Sequence, residues 1–111
     1  MSDERRGDCR DRSFARVLLR FRGRIGYVAD VSGGGFRGLF PEDFELEAGG
    51  PIELELGFEE LGIDIFSLSA LVKWIRRDEG ALEAGFELAS AEPRSLELFN
   101  RIRTYYSNPL P

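Results

Sequence analysis

The chain has 111 residues, 42% hydrophobic and 32% charged, with a formal net charge of −5, one cysteine and no histidine. That length carries one domain with one modest core, and the lack of histidine removes the commonest general base and metal ligand, so a non-enzymatic protein with no cofactor is expected. Cys9 alone permits no intrachain disulfide; no apolar run reaches the eighteen or so residues of a membrane span, and Met1 to Arg6 lack the apolar stretch of a secretory signal, so a cytoplasmic protein is expected.

The charge is unevenly spread. Residues 1–24 hold arginines at 5, 6, 10, 12, 16, 20, 22 and 24 against acids at 3, 4, 8 and 11, a net +4 that leaves −9 on the rest. An arginine-rich arm on an acidic body is a poor binder of DNA or RNA, because a long polyanion would also meet the acidic surface. A small anion escapes that penalty, and arginine, the only basic residue type in the arm, suits bidentate or stacked contacts.

Residues 1–12 have no hydrophobic periodicity and read as a flexible arm, with residues 13–111 as a single domain. From Ser13, the alternation Ala15, Val17, Leu19, Phe21 against Arg16 and Arg20 marks a half-buried strand. Arg22-Gly23 is the expected turn, and Arg24 to Val31 returns with Ile25, Tyr27, Ala29 and Val31 on the apolar side. Asp30 and Ser32 then share the opposite, solvent-facing side. Gly35 to Phe40 is a third strand, broken by Pro41-Glu42-Asp43, and Gly49-Gly50-Pro51 marks another turn. Ile52, Leu54, Leu56 and Phe58 alternate with Glu53, Glu55, Gly57 and Glu59, a confident strand. Ile63 to Ile75 and Ala81 to Leu88 follow, the last with Leu82, Ala84, Phe86 and Leu88 inward; no helix is expected between Ile52 and Ile75. Six strands at short, regular spacing argue an all-β fold, a six-stranded antiparallel barrel. From Pro93 the period changes to Leu96, Phe99, Ile102 or Arg103, and Tyr106, which predicts a helix over about 93–106 covering one end of the barrel or a face of the sheet. Phe99, Tyr105 and Tyr106 read as core packing in preference to a stacking platform.

The segment Asp30-Val31-Ser32-Gly33-Gly34-Gly35 sets a carboxylate and a hydroxyl side by side before three glycines that let a flat ligand approach. Alone, it also reads as a hairpin turn in which Asp30 and Ser32 bond their own backbone.

Taken with the arm, the pattern resembles the PilZ domain of bacterial cyclic di-GMP receptors. The arm Glu4-Arg5-Arg6-Gly7-Asp8-Cys9-Arg10 has the doubled-arginine form, with Arg6 and Arg10 as its spaced pair, and Asp30, Ser32 and Gly35 form the second motif. Leu71-Val72-Lys73-Trp74 and Gly85-Phe86-Glu87 are further similarities. An Arg-x-x-x-Arg also occurs at Arg12/Arg16, Arg16/Arg20 and Arg20/Arg24, so the specificity lies in the ordered combination. The resemblance implies a receptor that binds cyclic di-GMP through Arg5, Arg6, Arg10, Asp30, Ser32, Gly34 and Gly35. It also implies that the arm folds over the ligand and that its ordering signals to a downstream protein partner, with no membrane and no nucleic-acid polymer involved. The physical fit is direct: guanidinium groups bond guanine O6 and N7 or phosphate oxygens, and a carboxylate accepts from guanine N1–H and the N2 amine. The alternative is a protein-interaction module of the same fold that binds no nucleotide; a small barrel for single-stranded nucleic acid is disfavoured by the acidic body.

Overall fold

The computed structural model describes residues 17–107. The expected arm and the start of the first strand, residues 1–16, lie outside the described residues. Within them, six antiparallel strands close into a barrel: β1 (Val17–Phe21), β2 (Arg24–Ser32), β3 (Gly35–Phe40), β4 (Gly49–Phe58), β5 (Ile63–Asp78) and β6 (Ala81–Ser90). The order around the barrel is β1-β2-β3-β6-β5-β4, with β1 pairing back onto β4 through Leu19 and Leu56. One helix, α1 (Pro93–Ser107), follows. This is the six-stranded barrel and C-terminal helix that the two periodicities predict.

The period-2 pattern produces the barrel because it sends one apolar side chain inward from every second position. Val17, Leu19 and Phe21 of β1 meet Leu54 and Leu56 of β4, Phe66, Leu68 and Val72 of β5, and Leu82 and Phe86 of β6, all buried. Each such side chain contributes roughly 1.5–3 kcal/mol relative to exposure. The two ends of β3 mark the two ends of the barrel. At one, Phe44 packs edge-on against Phe40, ring centroids 4.9 Å apart, and Leu46 is buried beside it. At the other, Phe99 of α1 packs against Phe36 at 5.9 Å.

Four local expectations are corrected. In β2 the inward positions are Gly26 and Val28, not Ile25, Tyr27 and Ala29, and Ile25 is 57% exposed. The register shifts between Val28 and Asp30, so Ala29 is an extra residue that reverses the phase. Val31 is therefore buried and Asp30 and Ser32 are exposed, as expected. Second, the stretch between Ile52 and Ile75 is not free of helix: a single 3-10 turn, Glu59–Leu61, joins β4 to β5 and ends on left-handed Gly62. Third, Gly49-Gly50-Pro51 is not a turn but the irregular start of β4, where a register shift accommodates the proline. Fourth, the buried stripe of α1 is Leu98, Phe99 and Ile102, and Leu96 stays 41% exposed. Tyr105 packs edge-on against Phe58 at 5.0 Å, consistent with a packing role for the helix aromatics.

Two polar ties from α1 reach β2 and its turn. The Tyr106 hydroxyl donates to the Val28 carbonyl at 2.7 Å, at the bulge, and Arg103 Nη1 donates to the Gly33 carbonyl at 2.9 Å.

Candidate functional site

The β2–β3 hairpin opens onto a cleft of about 250 Å³ on the outer face of the barrel. Its first wall is β2. The bulge at Ala29 sets Asp30 and Ser32 outward together, and the tight Gly33-Gly34 loop, with Gly33 at φ 59°, pairs Ser32 with Gly35. Such a two-residue connection needs a residue that tolerates positive φ. Gly35 and Arg37 of β3 form the next wall, with Arg37 directly across from Asp30. At Gly35 a Cβ would stand 2.5 Å from the Phe86 carbonyl oxygen, so its missing side chain is what lets β6 come close.

The far wall comes from β5 and β6. The register of β5 slips between Val72 and Trp74, so Lys73 and Trp74 both face outward. The indole lies in the space that a side chain on Gly85, its cross-strand partner, would fill, and it remains 41% exposed. A glycine in a strand interior commonly marks such a close approach.

Charge joins the walls. Arg37 donates from Nε and Nη2 to Asp30 Oδ2 at 3.0 and 2.8 Å, and from Nη1 to Glu83 Oε2 at 2.6 Å. Glu83 also accepts from Arg76 through its other oxygen. It is the one charged residue in the buried set of the described residues, 8% exposed. The two guanidinium groups meet the requirement that a buried charge be paired. The bond to Arg37 is the main cause holding the Glu83 carboxyl below its ordinary range, against the opposing effect of burial. The Arg37 guanidinium is held above its ordinary value, first by Glu83 and then by Asp30. Lys73 pairs with Glu87 at 3.2 Å, both well exposed.

The cleft thus offers a carboxylate and a hydroxyl on one strand, a fixed guanidinium on the next, and an ammonium and a flat indole opposite. It is suited to a planar ligand that carries hydrogen-bond donors beside acceptors or negative charge.

Of the residues singled out from the sequence, Asp30, Ser32 and Gly35 line this cleft together. Gly34 lies in the adjoining turn, its carbonyl accepting from the Leu88 amide at 2.8 Å. Arg5, Arg6, Arg10, Arg12 and Arg16 lie outside the described residues. Sequence reasoning missed Arg37 and Glu83, and noted Lys73, Trp74 and Gly85 without giving them a place in the site. The available signals were Gly85 in mid-strand and Arg37 at the outward position between Phe36 and Gly38.

Compared with known families, the chain matches the model described as PilZ domain over residues 3–105. None of the curated proteins compared with the chain matches it.

Proposed function

The chain belongs to the PilZ domain family, and from that premise we propose that it is a cyclic di-GMP receptor whose N-terminal arm, residues 1–12, closes over the ligand and passes the signal to a protein partner. The observation that supports this reading best is the convergence of Asp30, Ser32 and Gly35 in one cleft with Arg37 and Trp74. Asp30 accepts from the donor edge of a guanine, and its two bonds to Arg37 both fall on Oδ2. Ser32 adds a hydroxyl beside it, and the exposed indole of Trp74 adds a flat apolar surface. Arg5, Arg6 and Arg10 supply the remaining guanidinium groups for guanine and phosphate. Ordering the arm costs conformational entropy, which those contacts must exceed.

Calorimetric titration with cyclic di-GMP tests this. Saturable binding with a large favourable enthalpy, abolished by removing residues 1–12, is the expected result. No heat of binding would favour the second reading, a protein-interaction module of the same fold. The existing pairing of Asp30 with Arg37 is the feature that speaks for that alternative.

A further inference from the structure

We propose that Arg37 is the specificity-determining residue of the cleft, and that the joined Asp30–Arg37 pair, not Asp30 alone, is the reading head for guanine. The inference rests on the cyclic di-GMP reading above and adds to it which atoms discriminate the base.

Arg37 is fixed on two sides. Nε and Nη2 are bound to Asp30 Oδ2, and Nη1 is bound to Glu83, which is itself buried and held by Arg76. A guanidinium has five N–H donors, and three are spent in these bonds, so one on each Nη remains. Asp30 has its Oδ1 uncommitted among the described residues, because both of its bonds fall on Oδ2. Its cross-strand register with Arg37 holds the two groups next to one another at the cleft. The outer edge of the pair therefore reads acceptor, then donor.

The pairing edge of guanine reads donor (the N2 amine), donor (N1–H), acceptor (O6). Set against the pair, N1–H and the amine go to Asp30 while O6 accepts from Arg37. Adenine presents N1 as an acceptor where guanine presents N1–H, which would face Asp30 with two acceptors in apposition. A carboxylate alone selects for donors but is indifferent to what lies beside them; the guanidinium converts it into a reader of the whole edge. Glu83 is what makes this possible, since it prevents Arg37 from leaving with solvent or with a phosphate.

The test is a two-by-two titration: cyclic di-GMP and its 6-thioguanine analogue, in which sulfur replaces O6 with a poorer acceptor, against the unmodified protein and Arg37→Ala. The unmodified protein should bind the analogue about tenfold more weakly, and Arg37→Ala should lose about tenfold for cyclic di-GMP and no longer distinguish the two. Equal affinity of the unmodified protein for both ligands overturns the proposal without requiring any variant to fold. Equal loss for both ligands in Arg37→Ala also overturns it, because that is the signature of a merely structural arginine. If the unmodified protein fails to bind cyclic di-GMP, both the receptor reading and this inference fall. Binding without discrimination at O6 sinks only the inference.

Discussion

Gly35→Ala separates a structural role of the glycines from a ligand-accommodating one. The added Cβ would lie 2.5 Å from the Phe86 carbonyl oxygen, roughly 0.8 Å inside the closest comfortable carbon–oxygen approach of about 3.3 Å. The obstacle is backbone, so relief requires β3 and β6 to move apart at the Gly35–Glu87 and Phe36–Phe86 pairs. Overpacking of this kind costs about 1–3 kcal/mol, and the reduced freedom of the unfolded chain returns about 0.4–1 kcal/mol. A net loss of about 1–2 kcal/mol corresponds to a fall in Tm of roughly 5–15 °C for a domain of this size. Thermal unfolding followed by circular dichroism measures it, with Gly34→Ala in parallel. A Cβ on Gly34 meets nothing within 4 Å, so that variant keeps only the gain of about 0.4–1 kcal/mol and should melt about 2–8 °C above the unmodified protein by the same conversion. A Gly35→Ala protein as stable as its parent, or equal losses in the two variants, would refute the steric argument.

Glu83→Gln should lower stability at pH 7 by about 1–2 kcal/mol, less than a fully buried pair would lose because both arginines reach water. Since the folded-state value of Glu83 is lowered, its contribution is present above the ordinary carboxylate range and is lost as pH falls through the folded value; denaturant curves of the two proteins should converge in acid, and a gap unchanged at low pH would contradict this. Tyr106→Phe removes the bond to the Val28 carbonyl and should cost about 0.5–1.5 kcal/mol, read from the urea midpoint. Asp30→Ala should weaken cyclic di-GMP binding more than Ser32→Ala, because only the carboxylate makes charge-assisted bonds; a reversed order by calorimetry would mean that Asp30 does not face the base.

The barrel was legible because inward and outward residues alternate over most of each strand, and a closed barrel rewards that pattern everywhere. Ile25, Tyr27 and Ala29 were misplaced because one extra residue, Ala29, reverses the alternation, and nothing in a hydrophobicity pattern distinguishes a bulge from a phase. Leu96 was misassigned because it and Leu98 both fit a helical spacing, Leu96 with Phe99 and Leu98 with Ile102, and only the packing of α1 on the barrel shows that Leu98 is the buried one. In the site, Asp30, Ser32 and Gly35 were legible as neighbours in sequence. Arg37 and Glu83 are 46 residues apart, and their meeting depends on β3 pairing with β6, a non-consecutive neighbour. Trp74 reaches the cleft only because a second register slip turns it outward.

Arg103 and Tyr106 hold the segment from Val28 to Gly33 at its two extremities, one at the bulge and one at the turn. Asp30 and Ser32 sit between these anchors, so the span that carries them is strung like a cord between two pegs on α1. A displacement of the last turns of the helix would therefore bear on the strand that carries Asp30 through these two bonds as well as through the packing of Phe99 and Tyr105. Linkage makes the transmission mutual: a molecule that stiffens the cord also stiffens its pegs.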